Sequence, residues 1–381
     1  MRHLLRRSLG SSSRAPLECV LARHPGVTSA VAPDCFRVQP LRAEAAAAAA
    51  ATAADLARGH VVVDTLCLSV DPYMRCRLDP AHPQLGEYIE AAALGEPFDG
   101  GGVGRVTASA HPAFAEGSLV CAPFTGFPWQ TRAVLDAADS SINLTAVPAA
   151  VAAHRPSLVL GALGMPGLTS WFCMLHAGRP APGDTVVVSA AAGACGSLAG
   201  QLAKKRAGAA RVVGIAGSAA KCARLVGELG FDAAVCYRDG DFAAQLGVAC
   251  PAGVDVYMDN VGGAVSDAVL RLANDGCRIP ICGQIAHYDE DVPYSTLVSE
   301  QGVSPELREL LAARGAERGR FLVLDYAAQW EDALQQLGEL VLGGELTAPE
   351  TVTRGFDPGR AFCEMMGGAN VGKAIVVLED E

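Results

Sequence analysis

The second half of the chain alternates short β-branched runs with longer helix-forming segments from about Gly161 onward. The runs predict buried strands at Thr185–Ser189, Arg211–Ile215, Ala233–Cys236, Val254–Met258 and Arg278–Cys282. The segments between them predict helices at Ser197–Arg206, Ala219–Leu229, Phe242–Ala249 and Val265–Ala273. Roughly 20 to 25 residues separate successive strands, as in right-handed βαβ units. The pattern predicts an α/β protein with a Rossmann doubly wound parallel sheet.

The first part of the chain, from Leu17 to Leu144, is dominated by strand and turn signals. Strand-like pieces occur at Val61–Val63, Thr65–Val70, Gly100–Val106 and Ser118–Pro123, and they predict a barrel-like β domain. The segment Ala43–Arg58 has helical propensity, but its alanine repetition favours a loop.

The tail predicts a return to the β domain. We expect a strand at Phe321–Leu324, a helix at Gln329–Leu342 and a final strand at Ala374–Leu378. The simplest layout places the parallel sheet as an insertion between two parts of the first domain.

A glycine-rich turn follows the first predicted strand of the parallel sheet. Ala191, Gly193 and Gly196 have the spacing A-x-G-x-x-G, with alanine at the first position. Strand, glycine turn and helix together indicate a dinucleotide site, because the backbone can approach a pyrophosphate at the helix N-terminus. A glycine turn without a ligand is the alternative. Cys195 lies in this turn, where a reactive thiol is conceivable, but we expect it to pack.

The end of the second predicted strand indicates which dinucleotide is bound. A carboxylate there usually binds the ribose 2′-hydroxyl of NAD, but this strand ends Gly214-Ile-Ala-Gly-Ser218. Lys221 and Arg224 follow on the next helix, and Tyr237 ends the third strand. A missing acid and a nearby cation favour a 2′-phosphate, so we predict NADPH.

A tyrosine is the candidate for catalysis. Tyr288 follows the strand that ends at Cys282, and ligands of open α/β sheets bind beyond the carboxyl ends of strands. A phenol there can donate a hydrogen bond to a carbonyl oxygen that gains charge. His287 and Tyr294 are rivals for this role, and a packing role for Tyr288 is the alternative.

Composition excludes several other classes of protein. The 381 residues carry a net charge of −11, which argues against a nucleic-acid surface. The thirteen cysteines include no C-x-x-C pair, which argues against zinc ribbons and thioredoxin-type sites and favours reduced thiols. No run of about 18 apolar residues predicts a membrane span, and we expect no metal.

Residues 1–16 are rich in arginine and serine and contain no acid. A mitochondrial transit peptide and an unstructured extension both fit this composition. We expect a cytoplasmic protein. A mitochondrial location is the alternative, and it would follow if the extension is a transit peptide.

Six motifs carry a resemblance to the prostaglandin reductase 2 group, in the leukotriene B4 dehydrogenase-like branch of the zinc-free medium-chain dehydrogenase/reductases. They are Ser69-Val-Asp-Pro-Tyr-Met-Arg-Cys-Arg77, Gly164-Met-Pro-Gly-Leu-Thr-Ser170, Ala191-Ala-Gly-Ala-Cys-Gly196, Gly230-Phe-Asp-Ala-Ala234, Pro251-Ala-Gly-Val-Asp-Val-Tyr257 and Asp259-Asn-Val-Gly-Gly263. The resemblance runs from about Leu17 to Leu378.

The resemblance implies a fold and a reaction. A Rossmann domain (156–320) would be inserted into a GroES-like β-barrel catalytic domain (17–155, with a return at 321–381). The reaction would be NADPH-dependent reduction of the 13,14 double bond of 15-oxoprostaglandins, which are α,β-unsaturated ketones. Hydride would add to the β carbon, and the bound enolate would be protonated at the α carbon. The partner would be a small-molecule lipid enone, with no nucleic acid or membrane, and the protein a monomer or homodimer.

The resemblance also implies site residues. Tyr288 matches the functional tyrosine. The cofactor set comprises Ala194, Cys195, Gly196, Ser197, Lys221, Tyr237, Asn260, Cys282, Gly283, Gln284, Ile285, Ala286, His287, Tyr288, Phe321, Leu322, Val323 and Asn370. The substrate set comprises Phe124, Thr125, Leu322, Val323 and Leu324, with Tyr73 and Tyr88 as weaker candidates.

Departures from the family pattern leave alternatives open. The segment Phe124–Trp129 is one residue longer and lacks an aromatic residue beside Phe124, which bears on acyl-chain selectivity. Gly100–Gly102 replaces the Gly-His-Glu of zinc enzymes. A broad-specificity alkenal, alkenone or quinone reductase is the second hypothesis. A non-enzymatic, crystallin-like NADPH-binding protein is the third.

Overall fold

The structure is a computed structural model that describes residues 15–85 and 90–378. Within those ranges the strands form a two-stranded, a six-stranded and a seven-stranded sheet. No helix in the same ranges has the length and hydropathy to cross a membrane. The predicted extension lies almost wholly outside the described residues.

The first part of the chain builds a largely antiparallel, barrel-like sheet. Its elements are β1 (Leu17–Leu21), β2 (Phe36–Pro40), α1 (Ala43–Ala49), β3 (His60–Ser69), α2 (Met74–Arg77), β4 (Asp99–Ser109), β5 (Leu119–Pro128), β6 (Arg132–Asp136), β7 (Thr145–Ala146), α3 (Ala149–His154) and α4 (Met165–Phe172). Strand β3 is central, because it pairs with β4 on one side and with β6 on the other.

The second part builds the six-stranded parallel sheet. Its elements are β8 (Thr185–Val188), α5 (Ala194–Lys205), β9 (Arg211–Ala216), α6 (Ala219–Gly227), β10 (Ala233–Cys236), α7 (Phe242–Ala249), β11 (Val254–Met258), α8 (Gly263–Leu270), β12 (Ala273–Ile281), α9 (Tyr294–Val298), α10 (Pro305–Ala313) and β13 (Glu317–Arg320). The strand order is β10-β9-β8-β11-β12-β13. All four residues of β8 are buried, as expected for a strand covered on both faces. The order reverses between β8 and β11, so a crevice opens at their carboxyl ends.

The tail completes the first sheet. Its elements are α11 (Trp330–Leu342), β14 (Glu350–Arg354), α12 (Pro358–Met366) and β15 (Lys373–Val377). Strand β15 pairs antiparallel with β3 and parallel with β14. The prediction that the parallel sheet is inserted into the β domain is confirmed, whereas the domain boundaries at single-residue precision stay predictions.

An aromatic cluster anchors this return. Phe36 packs against Phe98, Trp129 and Phe362, with ring centroids 5.5–5.9 Å apart. Phe362 lies on α12, so the end of the chain supplies part of the core of the first domain.

Three sequence predictions of local structure were wrong in part. The expected loop at Ala43–Arg58 begins with helix α1, because an uninterrupted alanine run has maximal helix propensity. The expected strand at Phe321–Leu324 is absent; β13 ends at Arg320, and a 3-10 helix spans Val323–Gln329. The strand expected at Arg278–Cys282 spans Ala273–Ile281 in the structure. Its first half contains Gly276, with φ +69°, and glycine in the sequence indicates a turn.

Candidate functional site

A cavity of about 780 Å³ lies at the crevice between the two large sheets. Its wall includes the turn after β8, the ends of β9 and β10, the loops after β11 and β12, and parts of the first domain. The wall brings together most of the predicted site residues: Phe124, Ala194, Cys195, Gly196, Lys221, Tyr237, Asn260, Cys282, Gly283, Ile285, Ala286, Tyr288, Phe321, Leu322, Val323, Leu324 and Asn370.

Four predicted residues lie outside this wall. Ser197 Oγ donates to the Ala194 carbonyl oxygen at 3.3 Å, and the Gln284 amide donates to Asp259 at 3.2 Å. His287 Nδ1 lies 2.7 Å from Glu290 Oε2, and Thr125 donates to the Ser141 carbonyl oxygen at 3.4 Å. These four side chains do not line the cavity, so their roles in binding stay predictions. Tyr88 lies outside the described residues.

The glycine turn fits a pyrophosphate at the N-terminus of α5. Helix α5 begins at Ala194, three residues earlier than predicted, and Gly193 is its N-cap. A Cβ at Gly196 would lie 2.5 Å from the Ala190 carbonyl oxygen, so only glycine fits. The first N–H groups of a helix have no intrahelical partner and point outward, and Gly193, Ala194 and Gly196 line the cavity.

The alanine at the first position of the motif is accommodated by a glycine on the neighbouring strand. A Cβ at Gly214 on β9 would lie 3.0 Å from the Ala191 Cβ. The missing side chain at Gly214 therefore makes room for the Ala191 methyl group. The preceding residue, Ala190, has φ +47°, and strained backbone of this kind is typical of functional turns.

Two cations line the cavity beyond the carboxyl ends of β9 and β10. Lys221 and Arg238 both line it, and the Arg238 guanidinium lies 5.5 Å from the centre of the Tyr237 ring. Burial lowers the pKa of Lys221, and the positive charge of Arg238 lowers it further. Among the described residues, Asp71 is the carboxylate in the cavity wall. A cationic end without an acid fits a 2′-phosphate.

Arg238 was missed by sequence reasoning. It follows Tyr237 directly, so the signal was a second cation immediately after the third strand. The wall also holds Gly217, where a Cβ would lie 3.2 Å from the Tyr237 ring.

The loop that carries Tyr288 is held by a buried carboxylate. Asp259 is 1% exposed and accepts hydrogen bonds from the backbone N–H groups of Val261 and Gly262 and from the Ser266 hydroxyl. It also accepts from Gln284. Asn260 donates from its side chain to the Ser189 carbonyl oxygen at 2.8 Å. These bonds fix the ends of β11 and β12 beside each other and place Tyr288 at the cavity.

The first domain supplies an apolar wall. Strand β5 pairs Phe127 with Gly100 and Ala122 with Gly102, so the residues between Ala122 and Phe127 bulge out of the ladder. This bulge puts Phe124 in the cavity wall. The Tyr73 hydroxyl donates to the Phe124 carbonyl oxygen at 2.8 Å, and the two rings lie 4.7 Å apart.

Opposite the bulge, close packing requires glycine at Gly102, whereas a side chain at Gly100 would displace only the flexible end of Met74. A Cβ at Gly102 would lie 2.3 Å from the Phe127 ring, and one at Gly100 would lie 2.3 Å from Met74 Cε.

Within residues 15–85 and 90–378, no group of three or more His, Cys, Asp or Glu side chains could hold a metal ion.

A partly buried ion pair of the first domain lies in the cavity wall. Lys373 Nζ donates to Asp71 Oδ1 at 2.8 Å and to the Val70 carbonyl oxygen at 2.9 Å. Its side chain is 4% exposed. Sequence reasoning missed this pair, because its members are 302 positions apart.

The cysteines of the wall are poor nucleophiles. Burial raises the pKa of the Cys195 thiol well above its usual range. A hydrogen bond with Cys173, together with burial, raises that of Cys282. Since the thiolate is the reactive form, both thiols are suited to packing.

Comparisons with known proteins agree with this architecture. Residues 38–142 match the family model described as the N-terminal domain of oxidoreductase, and residues 194–304 match the model described as zinc-binding dehydrogenase. The chain is 39% identical to YfmJ of Bacillus subtilis (strain 168), named as an NADP-dependent oxidoreductase, over 85% of this chain and 89% of that protein.

Two further relatives are named for the compounds that they reduce. Mouse prostaglandin reductase 1 is 38% identical over 84% of this chain and 90% of its own length. The NADPH-dependent curcumin reductase of Escherichia coli (strain K12) is 35% identical over 84% and 87%.

A solved structure extends the similarity to nearly the whole chain. CurA of Vibrio vulnificus in complex with NADPH superimposes with a TM-score of 0.81 at 32% identity, covering 96% of this chain and 100% of that chain. The chain belongs to the NADP-dependent oxidoreductases of the medium-chain dehydrogenase/reductase family, and NADPH is its cofactor.

Proposed function

We propose that this enzyme reduces the carbon–carbon double bond of α,β-unsaturated ketones, with 15-oxoprostaglandins reduced at the 13,14 bond. One observation carries the proposal: a single cavity joins the turn at the N-terminus of α5, the tyrosine loop after β12 and the apolar wall around Phe124. The resemblance to the prostaglandin reductase 2 group and the similarity to mouse prostaglandin reductase 1 support this substrate class.

NADPH supplies the hydride, and the residues of the chain orient the acceptor. The turn at Gly193–Gly196 would hold the pyrophosphate, and Lys221 and Arg238 would hold the 2′-phosphate. The apolar wall of Phe124, Leu322 and Val323 would hold the acyl part of the substrate.

Tyr288 would stabilise the charge that develops during reduction. When the β carbon accepts a hydride, electron density moves to the carbonyl oxygen and gives an enolate. The Tyr288 phenol would donate a hydrogen bond to that oxygen. A proton then adds to the α carbon, which completes the saturated ketone. Removing one such donor typically lowers kcat by about 10²- to 10³-fold.

A broad-specificity alkenal or alkenone reductase is the second candidate, and one observation favours it. Among the described residues at the substrate end of the cavity, the cation is Lys373, which is already paired with Asp71. An apolar wall of this kind would accept small enones as readily as a prostanoid with a carboxylate.

The test compares substrates, cofactors and one variant. We expect turnover of 15-oxo-prostaglandin E2 with NADPH, and the ratio of its kcat/KM to that of small alkenones separates the two candidates. Tyr288→Phe should lower kcat by about 10²-fold or more. Tyr294→Phe is the matched control, because Tyr294 lies outside the cavity wall.

Two outcomes would contradict the proposal. Full activity in Tyr288→Phe would remove the tyrosine from the reaction. Tight NADPH binding without turnover of any enone in a broad panel would instead favour the crystallin-like alternative.

A further inference from the structure

Three polar side chains of the first domain reach across to the loop that carries Tyr288. Arg75 Nε donates to Asp289 Oδ1 at 2.7 Å, and Gln84 Nε2 donates to the His287 carbonyl oxygen at 2.7 Å. His82 Nε2 lies 2.9 Å from the Tyr288 carbonyl oxygen. We call Arg75, His82 and Gln84 the interdomain clamp, because they hold three consecutive residues, 287–289, of the other domain.

The clamp is anchored in its own domain. The Arg75 side chain is fully buried, and its Nη2 donates to the carbonyl oxygens of Gly26, Val27 and Ser29 at 2.8–3.0 Å. His82 and Gln84 are 3% and 7% exposed. Buried groups held by several hydrogen bonds cannot shift without losing them, so Arg75 is a rigid support for the loop.

The hydrogen bonds of His82 specify one neutral tautomer. Its Nε2 faces a carbonyl oxygen, which only accepts, so Nε2 must carry the proton. Its Nδ1 accepts a hydrogen bond from the Gln84 backbone N–H at 3.1 Å. A second proton, on Nδ1, would face that N–H and break the contact. His82 can therefore hold the Tyr288 backbone and the Gln84 backbone together when it is neutral.

The surroundings of His82 favour the neutral form. Burial lowers the pKa of His82, and the positive charge of Arg75 on α2 lowers it as well. The Tyr288 carbonyl and the charges of Asp79, on its own loop, and Asp289, on the tyrosine loop, act in the opposite direction. The net pKa lies below the usual histidine value.

Fixing this backbone has a catalytic consequence. The clamp binds the carbonyl oxygens of His287 and Tyr288, and Tyr288 itself lines the cavity. A misplacement of about 1 Å at a reacting centre can cost about 10²-fold in rate. The contacts also cross between the domains, so the position of Tyr288 depends on how the two domains pack.

We propose that Arg75, His82 and Gln84 are positioning residues for Tyr288, and that neutral His82 keeps the tyrosine loop in its productive position. The inference rests on the proposed role of Tyr288. Protonation of His82 at acid pH breaks the clamp and lowers kcat without changing how NADPH binds at α5.

The first test is a pH profile of kcat/KM. The wild type should lose activity as pH falls below the usual histidine range, because His82 gains its second proton there. His82→Gln keeps an amide N–H near the Tyr288 carbonyl oxygen but does not titrate. The acid limb of its pH profile should therefore be flatter than that of the wild type. His111→Gln is the matched control: His111 Nδ1 also accepts from a backbone N–H two residues on, at 3.2 Å, but His111 lies outside the cavity wall. An unchanged acid limb in His82→Gln would overturn the pH part of the proposal.

The second test is a double-mutant cycle at saturating NADPH. His82→Phe should lower kcat about 10- to 100-fold and raise the Kd for NADPH by a much smaller factor. In a Tyr288→Phe background the same substitution should add little, because the clamp acts through that tyrosine. A fully additive loss, or a comparable rise in Kd, would show a general structural role and refute positioning.

The two proposals fail in different ways. If the wild type turns over no enone, the proposed function is wrong. If Tyr288→Phe alone retains full activity, the role of Tyr288 is wrong and the clamp has no catalytic residue to position. If Tyr288→Phe is impaired but His82→Phe and Gln84→Leu are additive with it, the clamp is wrong and the proposed function stands. Thermal unfolding of each variant confirms that it is folded.

Discussion

Replacing Lys221 by alanine should weaken NADPH binding selectively and leave NADH binding unchanged. Lys221 lies in the cavity wall near Arg238, at the end where the 2′-phosphate would bind. A hydrogen bond to a charged group contributes about 1.5–3 kcal/mol net. In the structure, Lys221 Nζ donates to the Gly368 carbonyl oxygen at 2.7 Å. Lys221 must give up that bond to bind the 2′-phosphate, at a cost of about 1 kcal/mol. The binding free energy for NADPH that is lost in Lys221→Ala therefore lies near the lower end of the range of about 1.5–3 kcal/mol.

That free energy corresponds to about a tenfold rise in the KM for NADPH. The assay is initial velocity with one enone at saturation and either NADPH or NADH varied. Arg224→Ala is the matched control, because Arg224 is a cation on the same helix α6, pairs with Glu228 at 2.9 Å and lies outside the cavity wall. Equal losses with both nucleotides, or the same loss in Arg224→Ala, would refute the assignment of Lys221 to the 2′-phosphate.

Two further substitutions test the packing of the site. Gly196→Ala should lower stability or NADPH affinity by about 2 kcal/mol or more, because its Cβ would lie 2.5 Å from the Ala190 carbonyl oxygen; thermal unfolding with and without NADPH measures this. Gly227→Ala, in open space on α6, should instead be neutral or stabilising by up to about 1 kcal/mol. Lys373→Met should destabilise the fold by about 1–3 kcal/mol in denaturant unfolding, because Asp71, which is 19% exposed, loses its ion-pair partner; no loss would mean that the pair contributes little.

The parallel sheet could be predicted from the sequence because its signals are local. Strand β8 is a continuous β-branched run, and the turn at Gly193–Gly196 follows within a few residues. The fold class follows from these features, and NADPH follows from the missing carboxylate at the end of β9 and the nearby Lys221; both predictions are confirmed. The Phe321–Leu324 prediction was wrong because the strand is formed by Glu317–Arg320, which is too polar to resemble one.

The candidate site was only partly predictable, for a physical reason. Lys221 and Tyr288 could be found because each follows a strand by a short, fixed interval. The Lys373–Asp71 pair and the interdomain clamp depend on contacts between segments 200 to 300 positions apart, such as the 206 between His82 and Tyr288. No local pattern marks such residues, since each is an ordinary polar side chain until the fold brings the distant segments together.

The pairing of β15 with β3 has a consequence for biosynthesis. The strands of the six-stranded sheet are continuous in the chain, so they can assemble while translation proceeds. The seven-stranded sheet needs Lys373–Val377, which the ribosome makes after every other strand of that sheet. Until then, the β3 edge at Cys67–Ser69 lacks its partner and offers exposed backbone groups to other chains. A nascent chain stalled before Lys373 should therefore hold a folded NADPH-binding half and depend on chaperones for the other.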